Sequence, residues 1–359
     1  MKIIVFAVLF LWFYPTISQE VFPFVDNIGY LRSFEKGYYN QIDFLSPLDI
    51  KFSEKIVAFR DNKNDFYVYD GLKKEKLSKL ANNYQVGIDL LAWNTGPVLN
   101  LWDNGVQRTL TMYGGTYFVS DSLVVYEDLI ENAVRVYYRD SIYELFRTVG
   151  NIKFPSAVGS NSVAFEGNGG INYAFVAGKI IEIGVMNNPV HYSCGGNLVA
   201  FNDPFNKTFS IVESNEIIDL ETIQMKDYKV GYEMVVYRDL NNQLMVYKGN
   251  KLIELSNYSA SFYEVFRNMI VWGEGQVFFA YDGQEKYELC NYIPKEYKLR
   301  NGIVAFRNFN HGVSLFKDGK VEIISNIPNA GFEVNGSSLR IEIANGRYQF
   351  FYNGKIWEM

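Results

Sequence analysis

Two histidines, two cysteines and a regular series of acids are the side chains in this 359-residue sequence best suited to chemistry. A zinc site takes about four N, S or O ligands, and His191 and His311 stand far apart with no second ligand type at metal spacing. His311, in Asn308-Phe309-Asn310-His311-Gly312, reads as a turn residue, and His191, after Pro189-Val190, as a solvated one. In Ser193-Cys194-Gly195-Gly196 the glycines would let a substrate approach Cys194. A thiol or hydroxyl nucleophile also needs a base within hydrogen-bond reach, and no Gly-x-Ser-x-Gly elbow is present. A disulfide needs Cα atoms within ~7 Å. Cys194 and Cys290 fall several repeat units apart, so two separate, buried, unreactive thiols are expected.

The acids Glu144, Glu182, Asp219, Glu254, Glu288, Glu322 and Glu358 recur at equivalent places in successive units. Glycoside hydrolysis would need a carboxylate pair ~5–9 Å apart across a groove, whereas equivalent acids in a repeat form an outer ring of edge charges that discourages sheet-to-sheet association. Asp61-Asn62-Lys63-Asn64-Asp65 and Asp239-Leu240-Asn241-Asn242 resemble half a calcium loop but lack its alternating oxygens and closing acid. They read as hairpin loops. The expectation is therefore a chain with no catalytic residue, no metal ligand and no cofactor.

The elements that would position any site come from an internal repeat. A short apolar run ending in an aromatic residue recurs as Ile56-Val57-Ala58-Phe59, Leu90-Leu91-Ala92-Trp93, Leu123-Val124-Val125-Tyr126, Ser162-Val163-Ala164-Phe165, Leu198-Val199-Ala200-Phe201, Met234-Val235-Val236-Tyr237, Met269-Ile270-Val271-Trp272 and Ile303-Val304-Ala305-Phe306. A more polar ninth copy begins at Leu339, and the aromatics follow one another at about 35 residues. The residue before each of the eight aromatics is Ala or Val, so that position is crowded, as expected where inner strands converge on an axis. About a dozen residues later comes a hairpin-turn signal such as Asn104-Gly105, Ser214-Asn215, Asp318-Gly319 or Asn353-Gly354. Alternating strands flank it, for example Leu244-Met245-Val246-Tyr247 and Lys251-Leu252-Ile253-Glu254-Leu255, and a fourth segment such as 261–267 leads into the next copy.

Four short antiparallel strands repeated at this period resemble the blades of β-propeller repeat proteins. The resemblance is one of pattern and runs from about residue 30 to the C-terminus; the Gly-His and Trp-Asp pairs of WD40 repeats and the double glycine of kelch repeats are absent. It implies an all-β chain, a propeller of about eight (seven to nine) four-stranded blades. Exposed sheet edges must be closed, and the N-terminal segment 48–55 is expected to supply the missing outer strand of the last copy. Residues 25–47 read as either a degraded blade or a strap.

Lys2, the apolar run 3–14 and Pro15-Thr16-Ile17-Ser18 form a secretory signal peptide, expected to be cleaved after Ser18. The run is too short to span a bilayer, which takes about 20 apolar residues. Residues 19–359 then form a single propeller domain, with net charge moving from -6 to -7 as Lys2 is lost. Nucleic acid is excluded as a partner, because phosphate binding needs a clustered basic surface. The Ser-Gln junction and Asn-, Tyr- and Lys-rich usage resemble exported proteins of Bacteroidota. What remains is a rigid body presenting loops.

The first functional expectation is a non-catalytic periplasmic or secreted module that binds another protein, such as an outer-membrane or type 9 secretion component, in a plug-like role. The alternative is a carbohydrate-binding or carbohydrate-active propeller that uses Trp93, Trp102, Trp272 or loop tyrosines. Candidate ligand or partner positions at the channel mouth directly follow the marker aromatics: Arg60, Asn94, Glu127, Glu166, Asn202, Arg238 and Arg307.

Overall fold

The computed structural model describes residues 20–185, 190–300 and 302–359; the signal-peptide segment 1–18 lies outside the described residues. Ten antiparallel sheets follow one another along the chain, each a simple meander. They span residues 22–43, 49–78, 84–111, 114–147, 157–185, 192–221, 228–254, 260–290, 297–325 and 331–358, and are called blades 1 to 10 below. Blade 1 has three strands and the other nine have four. No helix among the described residues is long and apolar enough to cross a membrane.

The core is divided into ten apolar clusters, one in each gap between neighbouring blades, including the gap between blade 10 and blade 1. The ring is therefore closed by side chains packing between sheets. It has ten blades where the sequence suggested about eight. The segment expected to complete the last blade instead contains Asp49–Phe52, the first strand of blade 2, while blade 10 ends on its own fourth strand, Lys355–Glu358.

The marker run is the second strand of each blade, and the segment before it is the first strand of the same blade, as in Tyr228–Val230 paired with Met234–Arg238. First strands and their following turns from blades 3 to 8 surround one central cavity, so the first strand is the inner one. The crowding at the Ala/Val position therefore has a different cause from convergence at the axis. Ala58 shares a cluster with Tyr84 and Trp93 of the next blade, Ala200 with Tyr228 and Tyr237, and Val236 with Tyr263 and Trp272. A small side chain on one blade leaves room for two rings of the following blade, the large-against-small fit that close packing demands. The turn signals behave as read: Asn104, Ser214, Asn215, Asp318 and Asn353 all have positive φ.

Residues 25–47, read as either a degraded blade or a strap, belong to a three-stranded blade 1 and the connector after it, and the blade's loop shows why the marker pattern is obscured there. Asp26 N–H donates to Tyr30 O, and Asp26 Oδ1 accepts from the Ile28 and Tyr30 amides. The same loop closes after the second strand of blades 2 and 7, where Asp61 and Asp239 stand in the place of Asp26. Phe22–Val25 is thus the marker strand of blade 1, with Pro23 at the small position, and Arg340 holds that position in blade 10. Among the described residues blade 1 has no inner strand, so the ring that would fill the space beside Arg340 is missing.

Arg340 fills that space itself. Its guanidinium donates to Pro23 O at 2.9 Å, pairs with Glu333 at 2.5 Å, and lies 5.0 Å from the Phe22 ring centre. Asn335 Nδ2 donates to Val21 O at 2.7 Å. Proline has no N–H to leave unpaired, so the edge of blade 1 is sealed by side chains. Arg340→Ala is expected to cost about 2–3 kcal/mol, from the charged hydrogen bond and the ring contact. Chemical denaturation measures the loss, and amide exchange should accelerate first in 21–25.

Candidate functional site

Each blade sends its connections to two opposite faces. Turns between the first and second strands and between the third and fourth lie on one, the turn face. Loops between the second and third strands, and connectors to the next blade, lie on the other, the loop face.

At the hub of the turn face the inner turns of consecutive blades are joined by backbone hydrogen bonds. Ser122 N–H donates to Ser160 O, Asn161 N–H to Gly195 O, Gly196 N–H to Gly231 O and Tyr232 N–H to Arg267 O. A Cβ at Gly195 would stand 2.1 Å from Gly231 O, and one at Gly231 2.2 Å from Arg267 O. The glycines beside Cys194 thus admit the neighbouring turn rather than a substrate. Arg267 then reaches across the ring: Nη1 lies 3.2 Å from both carboxylate oxygens of Glu54 in blade 2, and Nε 3.5 Å from Asp121 in blade 4. Arg267 and Asp121 also line a cavity of about 330 Å³, together with Val86, Phe118, Val158, Cys194, Val230 and Phe266. Its walls are apolar and backbone, and its charges are already paired.

Cys194 and Cys290 are both free. Burial pushes the Cys194 thiol up to about 12 and raises that of Cys290. A thiol reacts as its thiolate, so the native chain at pH 8 should show almost no fast reaction with a disulfide reagent, while the denatured chain titrates both cysteines. A rapid native reaction at Cys194 would give the hub a reactive centre.

The seven channel-mouth candidates all lie at the loop-face end of their second strands, and the structure does not bring them together around a cavity. Arg60 pairs with Asp49 at 2.6 Å; burial raises the Asp49 carboxyl, but the guanidinium outweighs it and holds the group below the usual range. Asn94 exchanges backbone bonds with Asn82 and Asn83, Glu127 accepts from Thr116 N–H at 2.7 Å, and Glu166 pairs with Lys153. Asn202 bonds the amide and carbonyl of Met225, Arg238 lies 3.5 Å from Asp227, and Arg307 pairs with Glu296 at 2.6 Å and donates to Ala330 O. Each fixes a strand or connector at the base of the loops.

The recurrent acids lie exposed on the outermost strands, as the sequence implied. Asp61 and Asp239 spend Oδ1 on their own loop amides. His311 sits at positive φ in its loop, and His191 is exposed beside Tyr228. Among the described residues no three His, Cys, Asp or Glu are gathered as for a metal ion. Trp93, Trp102 and Trp272 are buried between blades, which removes them as sugar platforms.

The feature that residue-by-residue reading missed is a difference between the faces. Among the described residues, the exposed large apolar side chains in turns and loops are Leu72 and Tyr232 on the turn face and all the others on the loop face, from Ile28 and Phe44 in blade 1 to Phe309 in blade 9. The signal was present as single apolar residues inside Asn/Asp loops, but only the strand order shows that they share a side.

No curated protein matches this sequence. Among solved structures, a computationally designed protein, Ika8, is 14% identical, with 86% of this chain and 99% of that one covered and a TM-score of 0.35. A eukaryotic initiation factor is 8% identical, with 85% and 96% covered and a TM-score of 0.46. The CRINKLY WD40 ectodomain of the Arabidopsis thaliana receptor kinase ACR4 is 6% identical, with 73% and 91% covered and a TM-score of 0.31. The profile of the 10-bladed beta propeller domain matches residues 16–357, in agreement with the ten sheets counted above. The chain belongs to the family of ten-bladed β-propeller domains.

Proposed function

We propose that this chain is a non-catalytic, exported propeller that serves as a protein-binding or scaffolding module of the bacterial cell envelope, acting in the periplasm or after secretion. The observation that carries this reading is the unequal pair of faces: the exposed large apolar side chains of the described turns and loops are gathered on the loop face instead of being spread over both, and apolar surface gathered on one side marks an interaction site. The signal-like start of the sequence supports export. A partner in the outer membrane or the type 9 secretion machinery, with this disc as its plug, is the form of the proposal with the most specific consequence. The seven polar residues at the base of the loops form the less apolar part of the same face.

Affinity capture from cross-linked envelopes tests it. An outer-membrane or secretion component should be retained by the wild-type chain and lost with Phe205→Asp plus Phe309→Asp. Equal retention by that variant would refute docking through this face. A carbohydrate reading survives only through exposed loop tyrosines such as Tyr113 and Tyr258; a glycan array bound by the wild type and not by Tyr258→Ala would favour it instead.

A further inference from the structure

The inner strands follow a repeated plan around the hub, and two aromatic residues break it. In blades 2, 3, 6 and 7 the residue opposite the small marker residue is polar and bonds to the next inner strand. Lys51 Nζ donates to Tyr84 O at 2.7 Å, Gln85 Nε2 to Tyr117 O at 2.9 Å and Lys229 Nζ to Tyr263 O at 2.9 Å, while Ser193 Oγ accepts from Val230 N–H at 3.1 Å. Blade 4 places Phe118 there, opposite Val125, and Phe118 is 43% exposed although it stands on an inner strand. Two positions further on, blades 3, 5, 6 and 7 have Gly87, Gly159, Gly195 and Gly231, and blade 8 has Phe266 in that place, opposite Met269. Both rings line the hub cavity of about 330 Å³, and the position between them in the plan supplies Val86, Val119, Val158, Cys194, Val230 and Val265 to its wall. The Arg300 and Arg267 guanidiniums lie 5.2 and 5.5 Å from the Phe266 ring centre and hold that ring in place. The polar groups of the wall are already engaged. Gly159 N–H donates to Ser162 O, Gly231 N–H to Met234 O, Ser160 Oγ to Asp121 at 2.8 Å, Ser120 Oγ to Ser160 O at 3.0 Å and Cys194 Sγ to Ala157 O at 3.5 Å, and Arg267 is held by Glu54 and Asp121.

We propose that this cavity is a binding site for a small, uncharged molecule that carries an aromatic ring, held by Phe118, Phe266 and the collar of valines. The proposal is independent of docking through the loop face. Concave sites of roughly 300–1,000 Å³ with mainly apolar and aromatic walls are where proteins hold small ligands. Covering the exposed Phe118 ring is favourable in proportion to the apolar area removed from water, and ring-to-ring contact adds to it. The engaged polar groups fix the class of ligand. A charged molecule would leave water for a wall whose charges already have partners, and a charge buried without a partner is costly. An uncharged one meets no such cost. A second copy is a poor occupant, because a twofold face-to-face contact sets one surface against itself, which here places one hollow opposite another.

Fluorescence titration of the mature chain with N-phenyl-1-naphthylamine is the test, run beside 1-anilinonaphthalene-8-sulfonate, which has the same rings and one negative charge. The wild type should bind the neutral probe with enhanced emission and the sulfonate at least about tenfold more weakly, the charge having no partner to meet. Phe118→Lys copies Lys51 and Lys229 of the same plan, and Phe266→Gly copies the glycines of four other blades, so both variants should fold, as circular dichroism would show. Each should raise the dissociation constant of the neutral probe at least about fivefold through the apolar contact withdrawn. Phe205→Asp plus Phe309→Asp, on the opposite face, should leave it unchanged. No binding of the neutral probe, equal affinity for the sulfonate, or unchanged affinity in both folded hub variants would overturn the proposal. Loss of binding in the loop-face double variant would do the same and place the probe on the loops.

Discussion

Raising the pH past about 10 should unfold this protein in one steep transition. Tyrosines line the inner strands and the gaps between blades, and burial holds their hydroxyls protonated. Desolvation pushes Tyr126 and Tyr228 up to about 12, and raises Tyr84, Tyr117, Tyr192, Tyr237 and Tyr263 still further. In the unfolded chain each would ionise near 10. Above that value the folded state holds more protons than the unfolded one, so stability falls as pH rises. The contribution is fully present below about pH 10 and drains away toward pH 12 for Tyr126 and Tyr228. Two pKa units amount to about 3 kcal/mol for one such residue, and several together are comparable with a whole domain's stability of about 5–15 kcal/mol. Absorbance at the tyrosinate band should rise together with loss of the circular dichroism signal. Gradual ionisation near 10 with the fold intact would show that these hydroxyls reach water.

Trp272→Ala should be the most damaging single truncation, costing about 3–5 kcal/mol by the usual measure of large buried aromatics. Trp272 is fully buried, lies in the cluster with Val236 of blade 7, and stacks 5.3 Å from Phe279 within its own sheet. Its removal opens the gap between blades 7 and 8. The converse change, Ala200→Phe, puts a ring where Tyr228 and Tyr237 already sit, and overpacking of this kind costs about 1–3 kcal/mol. Denaturant midpoints for the two variants measure both sides of the same interlock. A near-neutral Ala200→Phe would contradict the account of why that position is small.

Much of this architecture was legible in the sequence. The aromatic-tipped runs, the Asn-Gly and Asp-Gly turns and the acids after them are local features with local causes, and each marks a strand or hairpin where expected. The blade count was not legible, because the two copies flanking the ring closure depart from the pattern for a reason that exists only in three dimensions. Arg340 replaces the small residue where the neighbouring blade has no inner strand, and Pro23 stands at that position in the blade that lacks it. The inner strand was likewise misplaced, since apolar runs read as central whether they are first or second from the axis. For the site, the sequence supplied residues at the base of the loops, and those are spent on holding connectors. Arg267, Glu54 and Asp121 are widely separated in sequence, and nothing local announces that they meet across the hub. The apolar loop residues were readable singly, yet which of them share a face depends on strand order.

Photo-cross-linking in the native envelope tests the docking face most directly. A photoreactive residue at Leu240 or Phe309 should join the chain to an envelope component, and one at Leu72 on the opposite face should not. Cross-links confined to Leu72, with Leu240 and Phe309 silent, would contradict the assignment of the loop face as the working surface.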